Sequence, residues 1–347
     1  MRWFGVNNSN SNMIAISRTV PELRPSSPEH IPELLRQHNT PLVMRGLIKH
    51  WPAVQRSASV TEACAYLRQF YQDSTVTVFR ADASQKGRYF YNENLSGFNY
   101  AQSRERLDSL LDELQQASNT DAPGIYVGST TIERCLPGFL AHNPLDFGQP
   151  EALASIWLGN QSRIAAHYDV PDNLACVVAG TRRFTLFPPE QIANLYIGPL
   201  DLTPAGQAIS LVDFHHPDEE RFPKFKYALE QAMTATLAPG DALFIPSMWW
   251  HHVEGLDAFN VLVNYWWRNT PAWMGPPINA LLHAMLAIRE LPAAQRDAWR
   301  AQFEHYVFAD QSAQHQHIPE SARGVLQALD DNSARQLRSQ LLNRLNR

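Results

Sequence analysis

Between Gly124 and Trp267 the chain is a succession of short apolar runs separated by turn residues, and that rhythm admits few folds. The runs are Ile125–Val127, Ala154–Leu158, Leu174–Val178, Phe184–Phe187, Met233–Leu237, Ala242–Ile245 and Val261–Trp267. Runs of this length are too short for buried helices, and their spacing predicts an all-β sandwich or barrel. Hydrophobic residues make up 44% of the 347 and charged residues 18%, enough apolar material for a large core and too little charge for a disordered chain.

The flanks read differently. Upstream, Ser27-Pro28-Glu29 predicts a helix start, with Ser27 as N-cap and Pro28 at the first helical position, continuing to about His38. Thr61–Tyr71 and Ser103–Ala117 carry apolar residues at helical spacing, whereas Pro41–Gly46, Val76–Phe79 and Arg88–Tyr91 read as strands. Downstream, Ile278–Leu291, Ala293–Tyr306, Ala322–Leu329 and Ser333–Leu345 are expected to be helices. Three regions follow: flanking helices and strands in 1–120, a barrel in 121–270, and helices in 271–347. Apolar helices after a β domain suit either a cap or a homodimer surface, and the dimer is the expectation.

Lys and Arg number 29 against 34 Asp and Glu, a net charge of −5, which gives no electrostatic footprint for nucleic acid. Cys64, Cys135 and Cys176 lie far apart, so neither a disulfide framework nor a cysteine-rich zinc site is expected. No basic stretch followed by an apolar run opens the chain, and no run is long enough to span a membrane. A cytoplasmic protein without membrane contact is expected.

Thirteen histidines prompt a search for a metal. In His167-Tyr168-Asp169 an extended backbone turns residues i and i+2 to the same face, presenting an imidazole nitrogen and a carboxylate oxygen to one point. Pro239-Gly240-Asp241 is a tight turn feeding the buried run that leads to Trp249-Trp250-His251-His252, where either histidine could supply a third ligand. Two His and one carboxylate on one face suit non-haem Fe(II) oxygen chemistry. An H-x-D triplet alone is weak, and a surface His beside a turn Asp is the bland alternative. Imidazoles delivered into a core without partners would be costly, which favours the metal.

These segments, with Leu186-Phe187-Pro188-Pro189, Val212-Asp213-Phe214, Glu220-Arg221-Phe222-Pro223 and Val263-Asn264-Tyr265-Trp266, resemble the JmjC-type, cupin-like 2-oxoglutarate dioxygenases. Within that family the likeness is greatest to the asparaginyl hydroxylase acting on hypoxia-inducible factor, and a bacterial member is expected. The resemblance implies a double-stranded β-helix, Fe(II) held by His167, Asp169 and His251, and 2-oxoglutarate and O2 as cosubstrates. It selects His251 over His252, which the residues alone leave open. It also implies cosubstrate contacts from Tyr126, Asn173, Asn264 and Arg182, with Trp266 shaping the substrate cleft. Arg182 stands where the family has Lys; the alternative is that Arg182 faces outward and Arg183 inward. Ile164 stands where the family has a hydroxyl donor, a function that Ser162 or Thr185 could assume. Tyr89, Phe90 and Tyr91 are read as core packing, with cleft shaping as the alternative.

The reaction implied is oxidative decarboxylation of 2-oxoglutarate to succinate coupled to hydroxylation of a C–H bond, most readily on a protein side chain. A small molecule or a methylated substrate is the alternative. A metal-binding cupin without activity and a cupin enzyme of another kind are the competing classes; the second usually presents H-x-H rather than the H-Y-D found here.

Overall fold

The computed structural model describes residues 16–25, 28–116, 122–310 and 315–346, which form two compact units, Met1–Arg268 and Asn269–Arg347. In the first unit fourteen strands run in chain order: β1 (Glu22–Leu23), β2 (Leu42–Met44), β3 (Thr75–Ala81), β4 (Arg88–Tyr89), β5 (Tyr100–Arg106), β6 (Gly124–Thr131), β7 (Leu153–Gly159), β8 (Ser162–His167), β9 (Asp172–Ala179), β10 (Arg182–Phe187), β11 (Met233–Leu237), β12 (Ala242–Ile245), β13 (Trp250–Gly255) and β14 (Asn260–Trp267). The large sheet has the order β1-β2-β12-β9-β14-β7-β6-β3-β5 and the small sheet β11-β10-β13-β8-β4. β7 to β14 place four antiparallel strands in each sheet, the jelly-roll core expected from the apolar rhythm.

Alternation along the strands sorts side chains to two faces. On the outer face of the large sheet, Val76, Val127, Leu158, Cys176, Phe244 and Val263 bury against helical residues Ile31, Leu67, Leu110 and Leu114. The inner face turns Ala175, Val177, Leu243 and Leu262 toward Phe184, Leu186 and Val253 of the small sheet. The outer face of the small sheet is covered in turn by residues between β10 and β11, where Phe214, Phe222 and Phe225 pack on Phe187 and Trp250.

The Pro239-Gly240-Asp241 turn works through its charge and its backbone. Gly240 has φ +100°, a conformation open to glycine. Asp241 accepts from the Gly46 amide at 2.9 Å and from Arg45 at 2.6 Å, which ties the start of β12 to the end of β2.

Several sequence expectations need correction. Ser103–Arg106 is strand, not helix: it completes β5, pairing with β3 from Thr75 to Val78, and the helix begins at Leu107. This is a sheet edge, where Arg80 pairs with Glu105 and the exposed charges mimic a solvated helix face. Ala322–Leu329 forms two 3-10 turns, Glu320–Ala322 and Gly324–Leu326, rather than a helix. Near the first expected helix a 3-10 turn, Pro28–His30, precedes Ile31–Gln37, and Ser27 lies outside the described residues. The second unit contains helices Pro277–Ile288, Ala293–Phe303 and Asp331–Leu345, the last opened by a capping box at Asp330 and Ser333.

Candidate metal centre

A β-bulge builds the centre. Opposite β13, His251 pairs with His167 and Val253 with Ile164, so three steps on β8 face two on β13. The extra residue lets Ile164 and His167 face inward together, although residues three apart on a regular strand would point to opposite faces. The rings of His167 and His251 lie 4.3 Å apart between centroids.

Both imidazoles are oriented in the same way. Nδ1 of His167 donates to the Ala165 carbonyl and Nδ1 of His251 to the Trp249 carbonyl, each at 2.9 Å. A carbonyl only accepts, so Nδ1 carries the proton and Nε2 keeps its lone pair. Burial, and then the neighbouring His167, push the His251 pKa down, which favours the neutral, metal-binding form.

Asp169 arrives from the turn after β8. That turn is fastened to the turn before β13: Met248 N donates to Asp169 O at 2.8 Å, Ser247 Oγ to Val170 O at 2.5 Å, and Ser247 N to Asp172 at 2.9 Å. Met248 has φ +68°, a strained position for a side-chain-bearing residue, and the three bonds hold it there. One ligand atom each from His167, Asp169 and His251 fall within 4.8 Å of one another, with His251 Nε2 3.7 Å from Asp169 Oδ2. This is the only such group of His, Cys, Asp and Glu among the described residues.

The three residues line a cavity of about 370 Å³ between the sheets. Tyr126, Asn173, Arg182, Asn264 and Trp266 line the same cavity, so the fold brings every candidate site residue to one place. Arg182 is 2% exposed, and among the described residues its Nε has no hydrogen-bond partner and Asp169 supplies the only carboxylate lining its cavity. Burial pushes its pKa down, as desolvating an uncompensated cation must. Arg183 faces the other way and pairs with Glu254 at 2.7 Å. Neither Ser162 nor Thr185 lines the cavity; Thr185 faces a second one on the outer side of the small sheet.

Sequence reasoning missed Trp157 and gave Tyr89 a place in the cleft only as the alternative to core packing. Tyr89 sits beside Ile164 in the β4–β8 register, lines the cavity, and buries a hydroxyl without a partner among the described residues. Trp157 also lines it. An indole alternating with apolar β7 residues was the only available signal for Trp157. Tyr91 instead donates to Leu202 O at 2.5 Å and packs with Phe90 in a separate cluster.

His252 and its surroundings differ in kind. Burial pushes this imidazole down to about 4, and Phe214 stacks on it at 4.6 Å. Nearby, Glu254 accepts from His215 at 2.6 Å and from Arg183 at 2.7 and 2.8 Å. Burial alone would push its carboxyl up; these donors outweigh it and hold the group well below its usual range.

The fold and the centre define a jelly-roll barrel able to hold a divalent metal through two imidazoles and a carboxylate. Residues 28–272 match the cupin-like domain, and the chain belongs to that family. The human bifunctional peptidase and (3S)-lysyl hydroxylase JMJD7 is 27% identical over 288 residues, covering 73% of this chain and 85% of that protein. Lysine-specific demethylase 8 of Xenopus tropicalis is 24% identical over 257 residues, covering 72% of this chain and 52% of the relative. tRNA wybutosine-synthesizing protein 5 of Danio rerio is 38% identical over 106 residues, covering 30% of this chain and 29% of the relative. The chain spans 22% to 52% of the length of several curated relatives it matches.

Proposed function

We propose that the protein is an Fe(II)- and 2-oxoglutarate-dependent dioxygenase that hydroxylates a C–H bond, on a protein side chain in the first instance. The observation that carries this reading is the pairing, in one cavity, of a His-Asp-His donor set with a buried cation that has no ion-pair partner among the described residues. Burying an unpaired charge costs several kcal/mol, on the order of a whole domain's margin of stability, so a site that keeps one is built for a ligand of opposite sign. The donor chemistry fits Fe(II): nitrogen and oxygen ligands on one side, with the cavity open opposite.

In this reading His167, Asp169 and His251 hold the metal. Arg182 takes the distal carboxylate of 2-oxoglutarate in a two-pronged contact, with the Tyr126 hydroxyl beside it. Asn173 and Asn264 lie toward the metal-chelating end. When bound, the metal and cosubstrate supply the oxidising power that converts O2 and a C–H bond to an alcohol, with succinate and carbon dioxide as co-products. The protein's share is to orient these groups and to keep water from them behind the aromatic walls of Phe79, Tyr100, Trp157 and Trp266.

The lysyl hydroxylase and lysine demethylase names among the relatives, and the motif likeness to an asparaginyl hydroxylase, favour a polypeptide substrate. The wybutosine-synthesizing relative raises RNA as a second reading, which the net charge of −5 disfavours. No helix among the described residues is long and apolar enough to cross a membrane, and three buried free cysteines suit a reducing, cytoplasmic setting. Residues 121–270 act as the catalytic barrel, the described part of 1–120 flanks it, and the exposed Leu286, Leu341, Leu342 and Leu345 of 271–347 form a homodimer surface.

The test is succinate formation from 2-oxoglutarate with Fe(II), followed by mass spectrometry for a +16 Da product in a proteome digest. Succinate that depends on both Fe(II) and His167 supports the reading. Its absence, with the protein folded and iron bound, leaves a metal-binding cupin without this activity.

A further inference from the structure

Four hydrogen bonds around the metal centre form a chain with a fixed direction. Trp157 Nε1 donates to Asn264 Oδ1 at 2.7 Å. Asn264 Nδ2 donates to Asn173 Oδ1 at 3.2 Å, and Asn173 Nδ2 to Asp169 Oδ2 at 2.9 Å. Trp266 Nε1 then donates to the same Asp169 oxygen at 3.0 Å. An indole nitrogen can only donate, so Asn264 must present its carbonyl oxygen to Trp157 and its amide nitrogen to Asn173. Asn173 is thereby forced to present its own nitrogen to Asp169. Turning either amide over would set donor against donor or acceptor against acceptor. Asn173 is 6% exposed and Asn264 1%, so water cannot readily repair such a mismatch.

We infer that Trp157, Asn264 and Asn173 act as a one-way relay that, together with Trp266, positions the Asp169 carboxylate for metal binding. Trp157 and Trp266 are then positioning residues as well as cavity wall. Two N–H donors on one oxygen fix the rotation of the carboxylate, with that oxygen 3.7 Å from His251 Nε2. Groups that orient a metal ligand commonly matter to metal affinity about tenfold or more. The two indoles meet edge to face at 5.8 Å, so the two branches of donors that end on Asp169 also share a packing contact.

This inference rests on the metal-site reading above, and its test separates the two. Co(II) is titrated alone into the full chain, with affinity followed by calorimetry and ligand geometry by the visible absorption spectrum. Trp266→Phe and Trp157→Phe each remove one N–H while keeping an aromatic ring; Asn173→Ala interrupts the relay in its middle. Trp266→Phe is expected to weaken Co(II) binding about tenfold. Trp157→Phe should weaken it severalfold, and both should alter the Co(II) spectrum; the Asn264 oxygen stranded by Trp157→Phe should also lower the apo thermal midpoint by about a few degrees. A merely structural role would move the midpoint and leave the spectrum alone. If either Trp variant fails to fold, Asn173→Ala reads the same chain. Wild-type affinity and spectrum in the folded variants would overturn the relay while leaving the metal site standing. Co(II) binding that survives His167→Ala would instead overturn the site itself.

Discussion

On β10 and β13, neighbouring residues of the same type meet opposite fates. Arg182 and His251 face the interior of the barrel, Arg183 and His252 its outer side. The outer arginine is answered by Glu254, which also takes the His215 proton donor. The inner arginine's Nε has no partner among the described residues, and the inner histidines and Asp169 bring one ligand atom each within 4.8 Å of one another. A charge satisfied by its own chain stabilises the fold. A buried charge left unsatisfied identifies the place where the protein expects something from outside.

The comparison is most exposed at the metal ligands. His167→Ala or Asp169→Ala is expected to abolish succinate formation while the apo protein still folds, Asp169→Ala with some loss of stability because it strands the Asn173 and Trp266 donors. Turnover at the wild-type rate by either variant would break the inner half of the contrast.

The arginine pair should then separate cleanly. Arg182→Ala is expected to raise the apparent 2-oxoglutarate requirement at least tenfold, since a charge-assisted two-pronged contact is worth about 1.5 kcal/mol or more. Arg183→Ala should leave that requirement unchanged and instead lower stability by about 2 kcal/mol, having left Glu254 with His215 as its remaining donor. Exchanged phenotypes would reverse the assignment of faces.

How far the sequence carried this account can be judged residue by residue. Strands β7, β9 to β12 and β14 were legible as short apolar runs, and His167 and Asp169 as a candidate pair because an extended H-x-D triplet turns both side chains to one face. The family likeness was needed to choose His251 over His252. The facing of Arg182 depends on the strand register, which a single sequence does not display. The bulge on β8 was invisible because neither Ala165 nor Ala166 carries a bulge signature. Tyr89 was read first as core packing because only the parallel pairing of β4 with β8 brings it beside Ile164. Ser103–Arg106 was misread because an edge strand solvated on both sides has the polarity of an exposed helix.

Acid titration sharpens the outer half. The Glu254 carboxyl is held well below its ordinary value of 4.5, so its contribution is complete above that pH and is lost progressively as pH falls below it. Glu254→Gln should therefore be less stable than wild type by about 2 kcal/mol at pH 7, with the gap narrowing below pH 4.5. Chemical denaturation across pH 3–7 (a range of roughly four units) reads this directly. A gap constant with pH would mean the carboxylate is not what the cluster holds.

The smallest effect belongs to Thr185, which faces outward despite its position beside the site. Thr185→Val is expected to leave the 2-oxoglutarate requirement within about twofold of wild type, by the small worth of a single hydroxyl outside the cavity. A clear rise would return a cosubstrate role to the outer face.

The most direct measurement is an anaerobic titration of 2-oxoglutarate into the Fe(II)-loaded protein, followed by visible absorption. If the inner cation and the three ligands act together, a charge-transfer band grows to saturation at one cosubstrate per chain and needs far more 2-oxoglutarate in Arg182→Ala. A folded, iron-loaded protein that develops no band at any cosubstrate concentration would contradict the account.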